Sequence, residues 1–198
     1  MDPAADGRPA IKGRQEDRVW DFLSLSGTSD GDTFTRHPHL TLGLGAQTVE
    51  AMVTVPNAVN STMRSNIVRL GLDGFRDLAR EVLQTLAPLL RNHPGAKPWF
   101  RGVQRRYSSQ RAKPHLDAAI EFDLRTAIPS SGLLKLQPRW LDAAYGSFVD
   151  KQGANYQIQM GVLFRYEHCP ELPESDAAAM VEAAWLGCKP LVDLATPR

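Results

Sequence analysis

"HLTLGLGAQTVEAMVTVP", residues 39–56, is the stretch that decides the fold. Leu40, Leu42 and Leu44 alternate with Thr41 and Gly43. Val49, Ala51, Val53 and Val55 then alternate with Thr48, Glu50, Met52 and Thr54. A period of two is the pattern of a strand with one face buried. "GAQ" between the runs is short enough to return the chain on itself, so the two runs read as an antiparallel hairpin. Pro56 has no N–H to give to a ladder and ends the second strand.

The period changes beyond "NAVNST". Ile67, Leu70, Phe75, Leu78, Val82, Leu86 and Leu89 recur at spacings near three and four, which puts a broad apolar stripe on one helix face. Arg69, Asp73, Arg76, Asp77, Arg80 and Glu81 fill the opposite face. Gly71 and Gly74 each cost a helix roughly 1 kcal/mol relative to Ala, so the spacing predicts a helix that begins near Asp73. "NHPGAKP" ends it. "WFRGVQRRY" (99–107) and "HLDAAIEFDLRTAI" (115–128) read as a second hairpin, with "SSQRAKP" as its loop. In its return strand Leu116, Ala118, Ile120, Phe122 and Leu124 alternate.

"LQPRWLDAAYGSFV" (136–149) suits a short helix or an irregular excursion, with Pro138 early in it. "ANYQIQMGVLFRYE" (154–167) reads as a strand with Tyr156, Ile158, Met160, Val162, Phe164 and Tyr166 on one face and Gln157, Gln159, Gly161, Leu163 and Arg165 on the other. "SDAAAMVEAAWLGC" (175–188) reads as a helix with a Ser or Asp cap and with Trp185 and Leu186 in the core. Upstream of the first hairpin, "VWDFLSLSG" (19–27) is expected to form a short helix or docking segment, and "TSDGDT" (28–33) a loop.

These elements define an α+β fold. It is a two-layer antiparallel sheet of about five strands, with the long helix and a C-terminal helix packed on one face. Residues 1–17 are polar and aperiodic and are expected to be a disordered tail; residues 18–198 form a single domain. The chain has 198 residues, 42% hydrophobic and 23% charged, with a formal net charge of +1. No global field draws such a chain to DNA or to a membrane, so any electrostatic argument is local. No run approaches the ~18 apolar residues of a membrane span, and the N-terminus lacks the apolar core of a signal peptide. Cys169 and Cys188 are too few for a disulfide framework. The expectation is a cytoplasmic protein with free thiols and no membrane partner. The Arg- and Ala-rich composition fits a GC-rich bacterial source.

The local argument lies in "RGVQRRYSSQRAKP", residues 101–114. Between Glu81 and Asp117 there is no acidic residue, while Arg91, Lys97, Arg101, Arg105, Arg106, Arg111 and Lys113 all fall there. Guanidinium groups grip phosphates bidentately. Trp99, Phe100 and Tyr107 are interleaved, which suits base stacking. The function read from this segment is non-enzymatic binding of a polyanion, nucleic acid first, through Arg101, Arg105, Arg106, Arg111 and Lys113 with Trp99 and Tyr107. The bland alternative is a solvated hairpin tip balanced by Glu167, Glu171, Glu174 and Asp176.

A second function class comes from the acids. Glu121 and Asp123 share one strand face about 6.6 Å apart, at ~3.3 Å rise per residue. With Glu50 they would hold Mg²⁺ or Mn²⁺ beside the arginines, the arrangement of a metal-dependent phosphodiesterase. The binding reading requires no cofactor. A third class is a scaffold that binds a protein partner through the open sheet face. That face carries Thr41, Thr48, Glu50, Thr54, Asp117, Glu121, Asp123, Gln157, Gln159 and Arg165. His37 and His39, with His115, His168 and Cys169, are weak candidates for zinc. No P-loop and no G-x-S-x-G occurs, and "LGLGAQ" lies in a hairpin rather than at a strand-to-helix turn. Ser108 and Ser109 beside His115 have no orienting partner in the sequence.

Overall fold

The structure is a computed structural model that describes residues 18–25, 38–55, 62–105, 116–129, 136–150, 155–173 and 176–195. The deciding hairpin is present as β2 (His39–Gly45) and β3 (Thr48–Val55), paired antiparallel with Leu42 opposite Ala51. Ahead of it lies β1 (Arg18–Ser24), and after it come β4 (Lys97–Arg105), β5 (Leu116–Asp123) and β6 (Asn155–Arg165). The sheet thus has six strands among the described residues rather than about five, in the order β1-β2-β3-β6-β4-β5. Every neighbouring pair is antiparallel.

β1 accounts for the extra strand. The helix or docking segment expected over 19–27 is a strand against β2, with Asp21 opposite Leu42. Val19, Trp20 and Phe22 are residue types that favour a pleated surface, and a neighbouring strand stands ready to pair with them. β1 is an edge strand among the described residues. The Phe22 N–H donates to the Asp21 carboxylate (2.8 Å), so a side chain takes up one backbone donor of the edge strand.

Four helices or helical turns pack with α1 (Thr62–Asn92): α2 (Leu124–Ala127), α3 (Arg139–Asp150), α4 (Ala177–Gly187) and α5 (Lys189–Ala195). α1 starts before Asp73, at Thr62, because Gly71 does not stop it but kinks it. Gly71 has φ 70° and ψ 175°, a left-handed excursion that a side chain would resist. The return strand ends at Asp123, short of residue 128. The Asp123 carboxylate accepts from Arg125 N (2.9 Å) and caps α2.

The core lies between the sheet and the helices. Val53, Val55, Phe100, Met160, Val162 and Phe164 meet Ile67, Phe75, Val82, Leu86, Ala184 and Leu191, all fully buried or nearly so. Phe75 stands edge-on to Phe100, with ring centroids 6.3 Å apart, and Phe100 stacks on Phe122 at 4.9 Å. Trp185 packs against this core, but Leu186, expected there too, is 65% exposed on the outer side of α4. The expected tail (1–17), the loop 28–33, and Arg106, Tyr107, Ser108, Ser109, Arg111, Lys113, His37 and His115 lie outside the described residues.

Candidate functional site

The sheet face turned away from α1, α4 and α5 carries a row of polar side chains. Register places Thr54 of β3 opposite Gln159 of β6, Gln159 opposite Arg101 of β4, and Arg101 opposite Glu121 of β5. Four adjacent strands therefore each contribute one polar side chain at the same level of the ladder. Thr54 and Gln159 are buried, and so is Glu50.

Arg101 is the centre of the row. Its Nη1 and Nη2 donate to the two oxygens of Glu50 (2.9 and 3.0 Å). Its Nε donates to Glu121 Oε1 (2.5 Å), and Nη1 also reaches Gln159 Oε1 (3.3 Å). A guanidinium has five N–H groups, so these four bonds leave one. Gln159 passes the chain on, donating from Nε2 to Thr54 Oγ1 (2.8 Å), and Thr54 meets Thr41 Oγ1 at 2.7 Å. A buried polar chain satisfied in this way is rigid, and it specifies register.

Gly161 lies beneath the Arg101–Glu50 contact in the ladder. It lies between Met52 of β3 and Trp99 of β4, on the diagonal from Arg101 to Glu50. Having no side chain, it lets Met52 Sδ settle 2.8 Å from the place a Cβ would take. The Arg101 side chain is 13% exposed, that of Glu50 7% and that of Glu121 42%. Burial works against the Arg101 charge, but hydrogen bonding and attraction from Glu50, then attraction from Glu121, outweigh it and hold the guanidinium above its ordinary value.

The other expected site residues are placed as follows. Glu50 and Glu121 converge, and the group between them is the Arg101 guanidinium. Asp123 is turned to Arg125, accepting from its Nε (3.0 Å) and Nη2 (2.6 Å). Among the described residues no group of three or more His, Cys, Asp or Glu side chains is placed to hold a metal ion. Trp99 is half-buried, and its indole N–H is buried with no hydrogen-bond partner among the described residues. The backbone of Arg105 closes the described end of the β4–β5 ladder opposite Leu116, just past a register shift at Gln104/Arg105.

Of the residues considered for zinc, the structure describes His39, His168 and Cys169, and it does not bring these three together into a metal-binding group. His39 is buried against the ring of Phe22, with centroids 5.2 Å apart. His168 pairs with Glu167 (3.0 Å); His93, not among the zinc candidates, pairs with Glu171. Both cysteines are free and buried. The Cys188 thiol donates to Met160 O (3.5 Å), and burial pushes its pKa up to about 12. The sequence reading missed the joining of Glu50, Arg101, Glu121 and Gln159. Its signal was present: two polar residues, Glu50 and Thr54, inside a strand buried along nearly its whole length.

No protein-family model, curated protein or solved structure matches this chain. No helix among the described residues is long and apolar enough to cross a membrane.

Proposed function

We propose that this protein binds a polyanion, nucleic acid first, through the connection between β4 and β5, without catalysing a reaction on it. One observation carries the reading. The chain from residue 82 to residue 116 holds seven cations and no acid, and four of them, Arg105, Arg106, Arg111 and Lys113, fall in sequence between Gln104 of β4 and Leu116 of β5. Such a cluster on a chain of net charge +1 is a local field, and phosphate is the common biological anion that matches it. Tyr107 lies among the four and adds a surface on which a base can stack.

The test is fluorescence anisotropy of labelled single- and double-stranded oligonucleotides across a salt series. Four phosphate contacts give a slope of log K against log salt of about −3.6 on duplex and about −2.8 on a single strand. Arg105→Ala with Arg106→Ala should halve it. An unchanged slope would remove these two residues from the interface. Adding Mn²⁺ and resolving the products on a gel tests the phosphodiesterase reading, which needs Glu50 and Glu121 released from Arg101. Absence of binding at low salt would overturn the proposal and turn attention to a protein partner, for which the exposed Leu186 is the first surface to probe.

A further inference from the structure

We infer that the helix-side surface of β1 and β2 is a docking site for an amphipathic helix of a partner protein, about four turns long and with a cation beside its apolar face. The described helices pack on β3, β6, β4 and β5 and stop short of the first two strands. Register sets Leu23 opposite Leu40 and Leu40 opposite Val53, so these side chains lie on the face that the helices cover further along the sheet. Leu42 and Leu44 follow at two-residue steps on the same face. Leu23 is 47% exposed and Leu44 45%, while Leu40 and Leu42 are half-buried against the edge of the core. Leu25, just past the end of β1, is exposed as well. A single exposed leucine needs no explanation, but four that adjoin one another on two strands do.

Size and charge choose the occupant. Two strands of seven residues, at ~3.3 Å per residue and ~4.8 Å between strands, make a shelf about 23 Å long and about 10 Å wide. Its footprint of about 230 Å² is far below the ~800 Å² that each partner gives to a stable interface, too little for a stable dimer of this chain. A single helix is about 10 Å across, and about 15 of its residues run about 23 Å, so it fits the shelf in both dimensions. α4 and α5, packed on β3 next to β2, form the ridge against which it rests. Asp21 lies on the same face, opposite Leu42, and its carboxylate accepts from Phe22 N–H. An inward acid on an edge strand discourages another strand or sheet from adding there, and it favours a Lys or Arg on whatever covers the leucines. The occupant therefore presents apolar anchors at i, i+3, i+4 and i+7 with a cation at their margin.

The probe is a labelled synthetic helix of about 15 residues, with leucines at those spacings and lysines elsewhere, titrated with the full chain and followed by fluorescence anisotropy. Leu23→Asn with Leu44→Asn should weaken binding about tenfold or more, since each removes apolar surface that the helix covers. Asp21→Asn should weaken it about threefold at low salt and less at high salt. Leu70→Asn, which changes an exposed leucine on α1, is the control and should leave binding unaltered. A peptide of the same composition, with its leucines spread round the helix, should bind about tenfold more weakly or worse. Equal binding by the Leu23/Leu44 variant, or of the rearranged peptide, would overturn the inference. So would concentration-dependent dimerisation in analytical ultracentrifugation that the same variant abolishes, because the shelf would then belong to a second copy. Both leucines are nearly half exposed, and Leu25→Asn, outside the strands, gives the same reading where the double variant fails to fold.

Discussion

Gly161→Ala should be among the most damaging single-methyl additions in the sheet, and the structure says by how much. A Cβ built on Gly161 lies 2.1 Å from Ala51 O and 2.6 Å from Met52 Cα, both backbone atoms of β3, and 2.8 Å from Met52 Sδ. The first contact is about 0.9 Å inside the 3.0 Å limit that real Cβ atoms respect, and backbone in a central ladder cannot swing aside. Overpacking costs about 1–3 kcal/mol, and a backbone clash belongs at the upper end. Restricting the unfolded chain returns about 0.4–1 kcal/mol. The net loss is about 2 kcal/mol, or about 1 M in urea midpoint for an m-value of ~2 kcal/mol/M. Gly102→Ala on the neighbouring β4 is the control. Its added Cβ meets only side-chain atoms, Ile120 Cγ2 at 3.1 Å and Phe100 Cε1 at 3.4 Å, so gain and loss should nearly cancel. Urea unfolding of the two variants at constant m decides the matter. If Gly161→Ala lowers the midpoint no more than Gly102→Ala does, the close approach of β3 and β6 is wrong.

Three further outcomes follow from the polar contacts and the thiols. Glu50→Ala strips the buried Arg101 of its bidentate partner and should cost about 3–5 kcal/mol, whereas Arg101→Met with Glu50→Met together should cost less than the sum of the single changes; additive losses in urea unfolding would contradict a buried pair. The hydrogen bond to its own backbone N–H, then the one to His93, holds Glu171 below the usual glutamate range. Its contribution to stability is therefore present above the unfolded-state value and lost as pH falls through the lower folded-state value. In an NMR titration His93→Ala should move the Glu171 midpoint upward, and an unmoved midpoint would exclude the pairing. Cys169 and Cys188 are both buried, with thiol pKa values raised chiefly by burial. They should resist iodoacetamide at pH 8 in the native protein and react after unfolding. Rapid native labelling of either thiol would show that it is not buried.

Periodicity carried the fold wherever one face of an element is buried. β2 and β3 show it, since the register that pairs Leu42 with Ala51 keeps their apolar residues on one side. It failed at β1, where Val19, Trp20, Phe22 and Leu23 leave no clean polar face and a seven-residue run reads equally well as helix. It also misplaced the start of α1. The propensity cost of Gly71 is real, but Ile67 is fully buried beyond the kink and that burial holds the first turns in place. Strand order was not legible at all. The final strand enters between two hairpins formed earlier in the chain, and nothing in the pattern of β6 distinguishes a central position from an edge. Such an order is non-local, and among the described residues the two hairpins are joined in the sheet through β6.

That same insertion explains why the site was read only in half. The acid-free run of cations is a one-dimensional property, so the sequence displays it. The surroundings of Arg101 are not one-dimensional. Glu50 lies 51 residues away, Gln159 lies 58 away and Glu121 lies 20 away. They become neighbours only after β6 has set the level of β3 against that of β4. Before that placement Arg101 is one cation among seven, and Glu50 and Glu121 are carboxylates available to a metal. After it, the guanidinium is the cation those carboxylates hold. A buried acid in a strand must find a partner, so Glu50 in the middle of β3 required a cation from some other strand. Arg101, on the strand two places away, is the residue the register brings to it.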